Sequence, residues 1–270
     1  MTVSALSASP EWPGALSSGE QAHGVSSAAK ALAMLDAFAG PRAVLGVSEL
    51  ARSIGVPKST AHRLLSVMVD SGYVCKVGDR YCLTDRVFEL GNRVGFGFLR
   101  STGLRRRAMP YLSSLFVSTR ETIHLATLTG ADVLYLEKLF GPTGVRCSTA
   151  VGSRRPAYAT ALGKAILAFS GEAELTRAVQ APFRAYTSRT VTGADRLLQE
   201  LESIRASGLA TDRGEMQRDM HCIAVPILDP QTGRAVAAVS ICSLATQKLE
   251  PKYGQMLRDT ARELSRQPLG

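Results

Sequence analysis

LGVSELARSIGVPKSTAHRLLSVMVDSGY, residues 45–73, carries the apolar spacing of two short helices joined by a tight turn. Val47, Leu50, Ala51 and Ile54 fall at i, i+3, i+4 and i+7, which puts them on one helical face. Gly46 is an acceptable N-cap, and Glu49 sits where a carboxylate meets the unpaired N–H groups of a first turn. Gly55 breaks the pattern, and Pro57 restarts it at a first-turn position, where its missing N–H costs nothing. Ala61, Leu64, Leu65 and Met68 repeat the spacing and leave Lys58, Ser59, Thr60, His62 and Arg63 on the other face. Donors and cations on an outward face suit a polyanion, so the stretch predicts a helix-turn-helix that presents its second helix to DNA. The competing reading is an ordinary helical hairpin with a solvated polar face.

Two features beyond the hairpin favour DNA. Tyr73, Cys75 and Val77 alternate with Val74 and Lys76, Gly78-Asp79 supplies a two-residue turn, and residues 80–83 return as a second strand. A hairpin directly after a recognition helix is a wing, and Lys76 and Arg80 near its tip are placed to touch phosphate. Between residues 42 and 107 there are 12 Lys/Arg against 5 Asp/Glu, a net of +7 in a chain whose total is +9. The cationic excess is therefore local, as a nucleic-acid footprint should be. The same hairpin sets Cys75 opposite Cys82. A redox-active pair is conceivable there, but two small half-buried strand residues is the favoured reading, because the pairing site is hydrogen-bonded and cytosolic disulfides are uncommon.

Composition is that of an ordinary globular protein, with 45% hydrophobic and 20% charged residues, and 270 residues suffice for two cores. No apolar run approaches the roughly 20 residues of a membrane helix. Residues 1–24 are rich in Ser, Ala, Gly and Pro, with no Lys or Arg before an apolar block, so a disordered tail is expected rather than a signal peptide. Five cysteines without a CxxC pair fit a reducing cytoplasm.

Residues 26–39 read as a first helix, with Ala28, Leu32, Leu35 and Phe38 on one side, closing a three-helix core. From Thr84, a plausible cap, Val87, Leu90, Val94 and Phe98 mark an apolar connector helix of the kind that dimerises. A further helix spans residues 104–119, with Pro110 inside and Arg105-Arg106-Arg107 near its start, a triplet that is either solvated or close to DNA. The texture then changes: strands over 121–128, 133–139 and 144–151, helices over 160–169, from 172 and over 192–207, strands over 222–228 and 234–242, and a last helix over 251–266. The fold class is α+β, with an antiparallel hairpin in a central sheet.

ELARSIGVPKSTAHRLL, LEKL, RRPAYATALGKAILA at 154–168, HCIAVPILD and AVAAVSIC occur in that order behind the winged motif. Together they resemble the IclR family of bacterial transcription regulators over nearly everything after the tail. The resemblance implies a winged helix-turn-helix domain (25–84), a linker helix (85–104) and a GAF-like effector-binding domain (105–268) with a central antiparallel sheet flanked by helices. It implies a homodimer or homotetramer that binds operator DNA and responds to a small organic or aromatic acid, most often as a repressor of catabolic genes. Carried over position by position, the effector pocket is lined by Ala159, Thr160, Ala161, Asp212, Cys222, Ser240 and Cys242, with Cys147 and Met220 as apolar wall. The chain departs from the family's common form at Tyr158, where many members have His, and at Cys242, where many have Ser.

An enzyme is the reading from another class: a Cys-based site in the C-terminal domain fused to a DNA-binding module. A cysteine nucleophile needs a base within reach and a third, orienting group. Of the four histidines, His23 is in the tail, His62 is on the recognition helix and His221 points away from its neighbour Cys222. His124 remains, expected as a satisfied, half-buried strand residue. ALGKA lacks the first Gly and the hydroxyl residue of a phosphate loop, and neither a cofactor motif nor metal-ligand spacing is present. The expectation is a regulator without cofactor or metal.

Overall fold

In the computed structural model, residues 26–38, 44–93, 100–140, 149–244 and 248–266 are described. They fall in two units, Met1–Gly97 and Phe98–Gly270. The expected tail, residues 144–148 of the strand predicted at 144–151, Cys147 and the connector beyond residue 93 lie outside the described residues, and residues 149–151 are not strand but lead into a turn.

The first unit runs α1 (Ser27–Ala37), β1 (Val44–Gly46), α2 (Val47–Ser53), α3 (Lys58–Asp70), β2 (Val74–Val77), β3 (Arg80–Leu83) and α4 (Asp85–Arg93). The predicted spacing is what α2 and α3 bury: Leu50, Ala51, Ile54, Ala61, Leu64, Leu65 and Met68 all lie in one core with Val74 and Tyr81. Three details differ. Helix α1 is rotated from the expected face, so Met34 and Phe38 are buried, Ala31 and Leu35 pack beside them, and Leu32 is exposed. Pro57 is the N-cap of α3 rather than its first residue. Thr84 stands immediately before α4 and its carbonyl accepts from the Val87 N–H, but its hydroxyl, rather than capping the helix, donates to the Gly72 carbonyl and ties the end of the wing to the turn after α3.

The wing forms as expected, with Val77 opposite Arg80 and Cys75 opposite Cys82. Gly78 takes φ +64°, a left-handed value that glycine adopts without a Cβ clash. Cys75 and Cys82 are free thiols with their sulfurs 3.1 Å apart. Strand β1, which is too short to show in the sequence, adds to β3 and makes a three-stranded antiparallel sheet in the order β1-β3-β2. Glu49 locks this corner by accepting from the Gly46 N–H at 2.8 Å and from Arg80 Nη2 at 2.7 Å, while Arg80 also donates to the Val44 carbonyl.

The second unit runs α5 (Arg100–Thr119), β4 (Thr122–Thr129), β5 (Asp132–Leu139), β6 (Arg154–Pro156), a 3₁₀ turn (Ala157–Ala159), α6 (Ala161–Ala168), α7 (Glu172–Gln180), α8 (Ala194–Ser207), β7 (Ala210–Arg213), β8 (Met220–Leu228), β9 (Ala235–Leu244) and α9 (Leu249–Arg266). Its strands form one antiparallel sheet in the order β6-β5-β4-β9-β8-β7. Alternation along each strand divides the side chains between two faces. Ile123, Leu125, Ile223, Val225, Val239 and Ile241 pack with Leu112 and Leu115 of α5 and Leu257 and Leu264 of α9. The opposite face is made of smaller groups, Ala126, Cys222, Ala224, Ala238 and Cys242, and packs with Leu162, Ala165 and Ile166 of α6 and Leu197 and Leu201 of α8. The short strands β6 and β7 were not anticipated.

Small residues let α6 and the 3₁₀ turn approach each other closely. At Gly163 an added Cβ would lie 2.2 Å from the Ala157 carbonyl oxygen, which no ordinary contact tolerates. Gly163→Ala should therefore lower the stability of the full chain by about 1–3 kcal/mol in chemical denaturation. Gly91→Ala, where nothing stands within 4 Å, should leave it unchanged or raise it. Equal midpoints for Gly163→Ala and wild type would contradict this packing.

Candidate DNA interface and effector site

Helix α3 turns Leu64, Leu65 and Met68 inward and so sets Lys58, Ser59, His62 and Arg63 outward, all exposed, with Thr60 half-buried beside them. Lys76 is exposed on β2. Arg80 follows the wing's turn, opposite Val77, and its guanidinium is engaged by Glu49 and the Val44 carbonyl, which ties this end of the wing to β1 and the start of α2. The arginine triplet also divides. Arg105 Nε bonds Glu137 Oε2 at 2.8 Å within the second unit, and Arg106 is exposed.

The seven residues expected around an effector gather at the small-residue face of the second sheet, and all seven are buried. Asp212, Cys222 and Cys242 form one cross-strand row over β7, β8 and β9, and Thr122 of β4 extends it. Ser240 lies two residues along β9, opposite His124. Ala159, Thr160 and Ala161 form the junction between the 3₁₀ turn and α6, which packs on β8 and β9. There the Thr160 hydroxyl accepts from the Gly163 N–H at 3.0 Å and caps the helix. Met220, expected as wall, is buried in the same cluster. Tyr158 is buried beside Phe183, and its hydroxyl both donates to the Arg184 carbonyl and accepts from the Arg184 N–H. The ring that departs from the family's usual His thus pins the loop before α8.

Two groups were missed. His124 is fully buried rather than half-buried: Nδ1 lies 3.6 Å from Cys242 Sγ, Nε2 lies 2.9 Å from Thr149 Oγ1, and the ring meets Tyr135 edge-on. Its parity with Ala126 on β4 was the signal that would have placed it there. Lys164, dismissed as part of an incomplete phosphate loop, is 1% exposed, with Nζ at 2.6 Å from Glu215 Oε1 and 2.8 Å from Glu200 Oε2. The Glu215 N–H in turn donates to Asp212 Oδ1 at 2.6 Å.

Charge is costly in such a place, and the titrations reflect it. Burial, with the neighbouring Glu215 carboxylate, raises Asp212 to about 7. Burial also raises Glu215, against the pull of Lys164. Burial alone would push the Cys242 thiol up, but hydrogen bonds with Cys222 and His124 outweigh it and hold the thiol down at about 5. The arrangement sets a carboxyl that titrates near neutrality, an imidazole, a hydroxyl and a polarised sulfur on one buried face. Among the described residues no cluster of His, Cys, Asp or Glu is placed to hold a metal ion.

Folded Asp212 keeps its proton up to about pH 7, whereas an unperturbed Asp loses it near 3.8. The folded state therefore binds more protons over that interval, and its stability falls as pH rises from about 4 to 7. Asp212→Asn, which retains an oxygen for the Glu215 N–H, should flatten that decline and exceed wild-type stability at pH 8 in denaturation titrations. A steeper decline, or a weaker protein at pH 8, would contradict the assignment.

Residues 96–266 match the family described as "Bacterial transcriptional regulator IclR C-terminal", and residues 27–78 match the IclR helix-turn-helix domain. The HTH-type transcriptional regulator KdgR of Escherichia coli (strain K12) is 33% identical over 255 residues, covering 92% of this chain and 94% of that protein. Among solved structures, an IclR homologue of Microbacterium hydrocarbonoxydans complexed with 4-hydroxybenzoate superposes with a TM-score of 0.80 at 27% identity, covering 89% of this chain and 98% of the other. The Thermotoga maritima IclR superposes with a TM-score of 0.71 at 31% identity, covering 88% and 96%. With both of its units matched in order, this chain belongs to the IclR family of bacterial transcriptional regulators.

Proposed function

We propose that this regulator is a repressor of catabolic genes, released or retained on its operator by a small organic acid, aromatic acids included. The observation that carries the reading is the buried row Asp212–Cys222–Cys242 with Ser240 and His124, a polar wall facing the start of α6 in a domain otherwise packed with apolar groups. The 4-hydroxybenzoate held by the Microbacterium homologue supports an acid of that size. Ala159, Thr160 and Ala161 complete the pocket, with Asp212, in its protonated form, donating to the ligand's carboxylate.

On the DNA side, Lys58, Ser59, Thr60, His62 and Arg63 read the major groove or its phosphates, and Lys76 contacts the flanking backbone. Arg80 holds the wing in place for them. Two such domains address paired half-sites, so the working unit is a homodimer or a tetramer built from dimers. The exposed Phe88 and Leu90 of α4, apolar groups without cover in their own unit, favour pairing through the linker that starts at residue 85. The protein acts in the cytoplasm, and among the described residues no helix is long and apolar enough to cross a membrane. The contact between Cys242 and His124 favours one second reading, a cysteine chemistry performed on the bound acid.

Gel-shift titration against the upstream intergenic DNA, with a panel of aromatic and short keto or hydroxy acids, tests the main reading. Arg63→Ala should weaken or relax operator binding by about 1–3 kcal/mol while the fold survives, and Lys76→Ala should reduce the salt dependence. Acid affinity should fall as pH rises through 7, because ionised Asp212 repels a carboxylate. Cys242→Ser should change acid affinity and leave operator binding without acid intact; an acid consumed by wild type but not by Cys242→Ser would favour the enzyme. Unchanged affinity and specificity in Arg63→Ala would remove the recognition-helix assignment.

A further inference from the structure

A cleft of about 720 Å³ lies beside β7, away from the effector wall. Its floor is one face of α8, where Arg196, Glu200, Ser203 and Ser207 recur at i, i+4, i+7 and i+11, and one face of β7, where Thr211 and Arg213 alternate with the inward Asp212. His221, which points away from Cys222, lines the same cleft. The alternation therefore makes this site and the effector wall separate. Its volume falls within the roughly 300–1,000 Å³ usual for small-molecule sites.

Charge and unmet hydrogen bonds indicate what would fill it. Strand β7 ends the sheet, and its outer edge is where the Arg213 carbonyl accepts from Arg189 Nη1 at 3.0 Å, bringing two guanidinium groups to one end of the cleft. Neither Arg189 nor Arg213 enters an ion pair among the described residues. The two glutamates present, Glu200 and Glu215, are met by two cations, Lys164 on both and Arg196 on Glu200, so the charges of Arg189 and Arg213 are left uncancelled. His221 registers the result: burial and the charges of Arg189 and Arg213 lower the pKa of its ring below the usual histidine value. Two residues of its lining each carry a buried polar atom without a partner, His221 Nε2 and Glu215 Oε2.

We propose that this cleft is a second small-molecule site, taking a hydroxylated anion: a sugar acid, a hydroxy-polycarboxylate or a sugar phosphate. Arg189 and Arg213 hold the acidic group, His221 adds a hydrogen bond, and Glu215 Oε2 accepts from a ligand hydroxyl beside the Ser203 and Ser207 side chains. A carboxylate or phosphate alone would satisfy the arginines and leave Glu215 facing like charge. The hydroxyl is what that oxygen selects. Because Glu215 also holds Lys164 and Asp212, occupancy here would reach the effector wall, a consequence that rests on the function proposed above.

Isothermal titration of the full-length protein with gluconate, citrate and glucose 6-phosphate, with sulfate as a charge-only control, tests the proposal at physiological salt. At least one hydroxylated anion should bind saturably and more tightly than sulfate. Arg189→Ala and Arg213→Gln, both at exposed side chains, should each weaken it roughly tenfold or more while operator binding persists. Cys242→Ser should retain that binding while it alters acid affinity at the effector wall, which separates the two sites. The proposal is overturned if no probe binds at millimolar concentration, if sulfate binds as tightly, if the arginine variants bind as wild type, or if Cys242→Ser abolishes binding.

Discussion

A lysine ammonium enclosed in protein must be matched at once by carboxylates, and Lys164 sets this requirement for the second unit. Removing one partner of such a buried pair generally costs about 3–5 kcal/mol, because the remaining charge has no water to return to. Glu200 reaches it from α8 and Glu215 from the segment after β7, so one ammonium joins α6, α8 and the edge of the sheet. The Glu215 N–H then fixes Asp212, and the position of the polar wall follows from the same ion cluster. Gly163 completes the constraint from the other side by allowing α6 to sit against the Ala157 carbonyl.

The first unit has a smaller counterpart. Glu49 lies at the entry to α2 and is the point where the helix start, β1 and the start of β3 converge. Arg80, beside the turn of the hairpin, is the strut that ties the wing to that corner. Lys76 and the outward Lys58, Ser59, His62 and Arg63 of α3 are exposed.

Regularity in the sequence decided what could be read from it. The spacing in α2 and α3, the Gly78-Asp79 turn and the long strands β8 and β9 are local patterns, and each formed where expected, within a residue or two. β1, β6 and β7, of three or four residues each, are too short for alternation to show, and they exist because a neighbouring strand supplies their hydrogen bonds. The phase of α1 slipped because alanines and leucines surround the helix, and packing rather than pattern chose Met34. That the seven residues expected around an effector would gather on one face was legible only through the family resemblance, since Cys222 and Ser240 alone read as core. His124 and Lys164 escaped because their partners, Cys242 and Glu215, are distant in sequence, and no local rule predicts an ion pair across 51 positions.

The two faces of the second sheet carry unequal burdens. Isoleucine, leucine and valine on the α5 and α9 side interlock in shape, so a change there disturbs the whole unit. Alanine, cysteine and serine on the α6 side contribute little to that interlock. Inheritance can therefore vary one surface of the same strands while conserving the other. A descendant that exchanges Cys242 or Ser240 keeps its scaffold, so a lineage of such proteins can diversify the chemistry of that face without having to solve folding again.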